Sequence, residues 1–473
     1  MHLIRQHILD VDCSSQNLGK EIQSQLGQVL EGDFYPKLQQ LLDRYAVAHH
    51  TWNIDALTVE LPPVSPRNWK QELVDAALQQ IECYLQTHAP VFPKQKKGYE
   101  AELGWISDTQ QAEKLFFDFL KTGLLPENSL SRKLVEILAL LVVDAAFVQR
   151  LMTEMTLLES VWIRWVFAIP PEFKQKVWSF VAQPKALPLF FQKLFEGQPV
   201  AFISASKILD PAWLELLQWF YLLHRQTPSA MKLLEAFLQI SQQHMQISAT
   251  EMRAVFAYAN NQSTATHRNA LPDEIQFFLE QNAAQLQVLE FRETMEETTE
   301  LTSPAQEFLY VENAGLVILH PFLPTLFEQT GLCQDNHWTS EPSQHKAVLL
   351  TQYLVSGETV FFENELALNK ILCGLPVESV INTQLQLSDD EKQKCHQLLE
   401  AVNEHWKAMN GSSIVALRET FLQREGKIDA SNDPFFELWV AEKGVDILLE
   451  QLPWGIGLFK TPWMLDYMNC YWD

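Results

Sequence analysis

The sequence predicts a mainly α protein with minor β. It reads as a small N-terminal α/β segment, a central helical domain and a C-terminal helical domain with short terminal strands. Three observations carry this. Apolar residues recur at helical spacing along most of the chain, a period-two alternation occurs twice near the N-terminus, and the stretch from Leu452 to Asp473 gathers Trp, Tyr, Gly and Pro. With 47% hydrophobic and 20% charged residues, the 473-residue chain can bury substantial cores.

Residues 1–95 supply the α/β segment. Leu9, Val11 and Cys13 alternate with Asp10 and Asp12, as do Leu57, Val59 and Leu61 with polar neighbours before Pro62-Pro63 stops the strand. Between them, Leu18, Ile22, Leu26 and Val29 or Leu30 mark a helix broken at Asp33-Phe34-Tyr35-Pro36, and Leu38, Leu41, Leu42 and Tyr45 mark a second. Trp69, Leu73, Ala77, Ile81 and Leu85 then build a third helical face. The helical domain, 100–260, has one face from Leu115, Phe116, Phe119 and Leu120. Its run Leu134 to Val148 is apolar nearly all round and predicts a buried helix. Amphipathic segments follow at Trp213 to Leu223 and Met231 to Ile240.

Residues 261–303 read as a polar and acidic linker, from the Asn260-to-Thr266 stretch to Glu293, Glu296, Glu297 and Glu300. Ser303, Pro304 and Gln306 form a capping box that opens the C-terminal domain, 304–473. There the first helix runs through Phe308, Leu309, Leu316 and Leu319 and is interrupted by Pro321 and Pro324. A second starts at the box Ser388-Asp389-Asp390-Glu391 and ends at Asn410-Gly411. A third carries Ile414, Leu417, Phe421 and Leu422 and stops at Gly426; a fourth runs from Asp433-Pro434 through Leu438, Ile447 and Leu448. The tail holds short strands.

Charge narrows the partners. Lys plus Arg number 35 against 59 Asp plus Glu, a net −24, and from residue 305 onward 10 basic face 24 acidic side chains, a balance of −14. Such a surface repels phosphate backbones and favours basic protein surfaces. The densest basic patch is only Lys94-Gln95-Lys96-Lys97. The N-terminus lacks a basic head followed by an apolar core, so synthesis in the cytoplasm is expected. Direct membrane insertion is not expected, because the best apolar run carries Glu136 and Asp144 and is too short. Six scattered cysteines without a CxxC pair read as free thiols.

Chemistry-bearing motifs are missing. The sequence has no GxxxxGKS or GxxxxGKT phosphate loop, no GxGxxG after a strand, no HExxH and no GxSxG. Cys333, His337 and His345 lie close together, as do Cys395 and His396, but each group offers fewer than the four ligands of a structural zinc site. No catalytic, cofactor-binding or metal residue is assigned. Two Pro-Trp units, ending in Trp454 and Trp463, either fill a core or anchor an interface, and the core is the commoner use. Arg418, Glu419, Arg424 and Glu425 share one short helix, as structural ion pairs or as an anchor.

Four blocks in the last third resemble, in order, those of the contractile injection system tape measure protein family. The first, Val311 to Pro324, includes Glu312, Asn313, Gly315, His320 and Pro321. Leu366 to Pro376 includes Asn369, Lys370 and Gly374; Leu417 to Lys427 includes Arg418, Glu419, Phe421 and Arg424. The closing block, Leu452 to Ile456 and Lys460 to Met464, includes Trp454, Gly455, Lys460 and Trp463. Ile4-Arg5-Gln6 and Ile54-Asp55-Ala56-Leu57 are similar to the family's leading segment. The resemblance implies a non-enzymatic place in a phage-tail-like particle, extracellular or membrane-anchored. There the chain would set inner-tube length through contacts with inner tube, baseplate or other particle subunits. The residues named carry over as family markers and candidate protein-interaction positions. A folded acidic adaptor or chaperone for a cargo or baseplate subunit is the alternative.

A literal ruler meets a physical obstacle. The longest proline-free stretch, Val377 to Asp433, would reach about 85 Å as a helix, and no sustained apolar heptads support a rod. A stretched chain reaches ~3.3 Å per residue only by leaving its apolar content in water. Folded domains are therefore expected.

Overall fold

The computed structural model describes residues 16–46, 50–52, 57–88, 105–126, 133–181, 211–224, 308–431 and 434–472, with scattered positions before 16 and Ile54. They fall into two units, Met1–Lys114 with Asn128–Leu141 and Leu115–Glu127 with Val142–Asp473. The Met231-to-Ile240 helix, the 261–303 linker, the Ser303 cap and the Lys94–Lys97 patch lie outside the described residues.

In the first unit, α1 (Gln16–Val29) runs through a π turn at Leu30–Phe34 into α2 (Tyr35–Asp43). The expected break is thus a widened turn. Pro36, in the first turn of α2, has no N–H to give the turn before it, and the helix widens immediately ahead of it. A two-stranded ladder joins β1 (His50–Trp52) to β2 (Trp105–Ser107), antiparallel. Helix α3 (Trp69–His88) lays Trp69, Val74, Ala77, Ile81 and Leu85 against Ile22, Phe34, Leu38 and Leu41. The alternations at Leu9–Cys13 and Leu57–Leu61 are not strands: their described residues run in irregular backbone. Alternation needs a neighbouring strand to complete its ladder, and the strands lie elsewhere.

Helix α4 (Asp108–Thr122) carries the chain from the first unit into the second. The apolar run that follows is two helices, α5 (Leu134–Leu140) and α6 (Ala145–Leu157), rather than one buried rod. Asp144 explains the break: its carboxylate accepts from Phe147 N at 2.8 Å and caps a fresh start. Val135, Leu140 and Val142 are exposed. Helices α7 (Glu159–Ala168), α8 (Pro171–Trp178) and α9 (Pro211–His224) complete this part, with Phe116, Phe147, Trp165 and Phe173 interlocked edge-on or tilted.

The C-terminal part of the second unit opens with β3 (Phe308–Val311), not with the expected helix. A 3-10 segment, Ala314–Phe322, contains Pro321, and α10 (Leu323–Gln329) restarts at Pro324. Strands β4 (Cys333–Gln334) and β5 (His337–Trp338) form a hairpin turned by Asp335 and Asn336, both at positive φ. Then come α11 (Glu341–Ser356), α12 (Ala367–Leu372) and α13 (Asp389–His405), the last starting at the full Ser388–Glu391 capping box. Helix α14 (Ile414–Leu417) widens into a π turn at Arg418–Leu422.

Four more strands follow: β6 (Gly426–Asp429), β7 (Phe436–Val440), β8 (Leu458–Phe459) and β9 (Met468–Tyr471). With β3 they make one sheet in the order β3-β6-β7-β9-β8, antiparallel except for the β7/β9 pair. The helix expected from Asp433-Pro434 is therefore β7. Phe436, Leu438 and Val440 face the core and alternate with Glu437 and Trp439, so period two overrides the helical spacing to Ile447. Among the described residues the longest uninterrupted α-helix is α3, 20 residues or about 30 Å, and only the run from α1 through the π turn into α2 extends further. No described helix is long and apolar enough to cross a membrane.

Candidate functional site

The signature residues lie on turns and short elements, and half of them hold one block to another. Asn313 is buried just after β3. Its Nδ2 donates to Asn369 Oδ1 at 2.6 Å and to Gln352 Oε1 at 2.9 Å, while Asn369 Nδ2 donates to Thr351 Oγ1 at 2.9 Å. Two amides thus join the first and second blocks inside the core. A Cβ on Gly315 would overlap the Phe421 carbonyl oxygen and crowd Leu422 Cα at 2.7 Å, so only glycine lets the first and third blocks touch. Ala314 N also donates to Arg424 O at 2.9 Å.

The closing block is bound in similar fashion. Trp454 Nε1 donates to Ile318 O at 2.9 Å, and its ring meets Phe322 edge-on at 4.9 Å. Gly374 has φ +76, and a Cβ there would run into the Trp463 carbonyl. Thr461 Oγ1 donates to Leu372 O at 2.7 Å. Trp463 stacks on Trp338 at 4.6 Å and packs on Phe327 at 5.2 Å. Both tryptophans pack, half-buried, against the core. His320 stacks on Phe459 at 4.5 Å, and burial holds its pKa below the usual value despite a bond with Val317 O.

The cations of the third block do not pair with the nearby glutamates. Arg418 donates from Nε to Leu354 O at 2.9 Å and from Nη2 to Tyr353 O at 3.1 Å, satisfying carbonyls at the C-terminus of α11. Arg424, fully buried, grips Asp446 through both terminal nitrogens at 2.9 and 2.5 Å. Trp472 Nε1 and Lys443 N add bonds to the same carboxylate at 3.1 and 2.7 Å. Burial pulls the Asp446 carboxyl upward, but bonds from Arg424, Lys443 and Trp472 outweigh it and hold the pKa below the usual range. Glu312, Pro321, Glu419, Gly455 and Lys460 are exposed, with Lys460 Nζ on Leu465 O at 2.7 Å.

Lys370 belongs to a wholly buried triad. Its Nζ donates to Glu363 Oε1 at 3.0 Å and Val377 O at 2.8 Å. Arg164 Nε reaches both Glu363 oxygens at 3.1 Å, Nη1 reaches Leu120 O at 2.6 Å and Nη2 reaches Glu378 O at 2.5 Å. All three side chains have zero exposure. Burial pushes the Lys370 pKa down, and Glu363 opposes it. A second buried pair, Lys174–Glu215 at 2.6 Å, shows burial pushing the lysine down and the glutamate up.

Sequence reasoning missed Arg164, Glu363 and Asp446. Arg164 did leave a trace, as the one charge in Val161-Trp162-Ile163-Arg164-Trp165-Val166-Phe167, whereas Glu363 and Asp446 sit in ordinary polar surroundings. With no exposure the triad meets no substrate, so these charges fix geometry. All six cysteines are free thiols, and among the described residues no group of three or more His, Cys, Asp or Glu is placed to hold a metal ion.

No match to the chain is found among curated proteins or among solved structures. One family model does match, described as contractile injection system tape measure protein, over residues 1–472. With the whole length covered and the four blocks locked together in the fold, the chain belongs to the contractile injection system tape measure protein family.

Proposed function

We propose that this chain acts as a folded assembly component of the contractile particle, setting inner-tube length through contacts with inner tube, baseplate or other particle subunits. The observation that carries this reading is the inward use of the signature. Asn313, Asn369, Lys370, Phe421 and Arg424 are buried and tie distant segments together, as in the bond from Asn313 Nδ2 to Asn369 Oδ1 spanning 56 residues. Stretching the chain inside a tube would break these ties and put the core in water, at ~1.5–3 kcal/mol for each large apolar side chain. The exposed signature residues Glu312, Pro321, Glu419, Gly455 and Lys460 are left as interaction positions. Assembly in the cytoplasm, without nucleic acid, fits the acidic balance. Electron microscopy of particles made with and without the chain tests the role: tubes should become absent or variable in length. Normal tubes of uniform length without it would overturn the reading.

The second reading, an acidic adaptor for a basic cargo or baseplate subunit, draws support from the balance of −14 after residue 304. It predicts a complex that weakens steeply with salt.

A further inference from the structure

Resting on that assembly role, we infer that a cleft beside the last strand docks a segment of another particle subunit in which apolar side chains are flanked by lysine or arginine. The cleft has a volume of about 760 Å³, and the 3-10 turn Asp446–Gln451, Trp454 and Trp472 form its walls. That size accommodates a few side chains rather than a domain. Its apolar surface is open to solvent: Ile447 is 69% exposed.

The walls are fixed in advance. Trp454 is held by Ile318 O, and Trp472 by Asp446 Oδ2 with the Arg424 guanidinium 5.2 Å from its ring. A preformed apolar site loses little freedom when it is filled.

Charge selects the occupant. Glu442 and Glu450 line the cleft and are exposed, and among the described residues no ion pair engages either. Other carboxylates of the same unit do have cations, as in Lys346–Glu391, Lys392–Asp389 and Lys394–Asp390. Among the described residues Lys443 is the only cation lining the cleft. An apolar site edged by two carboxylates outside any ion pair against a single lysine, in a region of net −14, complements an apolar segment with basic flanks and rejects an acidic one.

The test titrates a synthetic leucine–lysine amphipathic peptide, and its leucine–glutamate counterpart, into the full chain by calorimetry. The basic peptide should bind, with Kd raised at least about ten-fold by Ile447→Asp and by Glu442→Lys/Glu450→Lys together. These side chains are exposed, so far-UV circular dichroism should be unchanged. The control Glu400→Lys/Glu404→Lys, on exposed positions of α13, should change Kd less than about two-fold. Equal weakening by the control would mean diffuse charge attraction and overturn the proposal. So would unchanged binding in the cleft variants, equal binding of the acidic peptide, or no binding. Loss of tube-length control on deleting the chain is read independently; with no peptide binding it would leave the assembly role standing and the cleft refuted.

Discussion

Removing the carboxylate from the buried triad gives the sharpest energetic consequence. Glu363→Gln keeps the side-chain size but leaves Arg164 and Lys370, both with zero exposure, facing each other without an anion. Their carbonyl partners Leu120, Glu378 and Val377 remain and offset only part of the lost attraction. Breaking a buried pair by removing one partner costs about 3–5 kcal/mol. For a unit of this size, at ~2.1 cal/mol/K of unfolding entropy per residue, that should lower Tm by roughly 4–7 °C.

A pH signature separates this cause from a packing defect. Lys370 already has a depressed pKa from burial, and losing Glu363 depresses it further. The unfolded chain then binds more protons than the folded one from the folded pKa up to the ordinary lysine value, so stability rises with pH across that window. The deficit of the variant, measured by calorimetric or fluorescence-detected melting, should therefore shrink as pH rises from neutrality toward ~10. A Tm unchanged at neutral pH, or a large deficit independent of pH, would refute the reasoning.

Other consequences follow from the same framework. Gly315→Ala pushes a methyl against the backbone of Phe421 and Leu422, which cannot swing aside, and should cost about 3 kcal/mol; a wild-type melting curve would contradict that contact. The folded Asp446 pKa lies below its unfolded value, so its pair with Arg424 stabilises above the ordinary aspartate range and is lost as pH falls through the folded pKa. Asp446→Asn should lower Tm at neutral pH and converge on wild type in acid; a gap that persists in acid would point to packing instead. Burial raises the pKa of Cys395 and Cys470 to about 12 and pushes the Cys373 thiol up too, whereas Cys83 is exposed. Native alkylation read by mass spectrometry should mark Cys83 and spare these three until the chain unfolds.

How much of this was legible depends on the range of the interaction. The Ser388 capping box needs only four consecutive residues, and it starts α13 as its sequence indicates. The helical face from Trp69 to Leu85 is likewise a local period, and α3 follows it. Strand β7 was hidden because five alternating residues, Phe436 to Val440, lie just after a proline that also signals a helix start. What decides between them is pairing with β6 and β9, one of which lies at the far end of the chain.

The candidate residues show the same limit. Gly315 and Gly374 stood out as markers, but their reason, close approach of Phe421 and Trp463, exists only once distant backbones cross. Lys370 was legible as a residue and illegible as a partner, since the rest of its triad includes Arg164. Asp144, counted as a carboxylate in an apolar run, is in fact the residue that divides the run.

Hydrogen–deuterium exchange of the chain within assembling particles tests most directly whether it works folded. The folded account predicts that backbone amides in α13 and in β9, Met468–Tyr471, exchange as slowly there as in the isolated chain. Rapid exchange across both elements in particles with normal tube length would show a chain unravelled at work, contradicting the account.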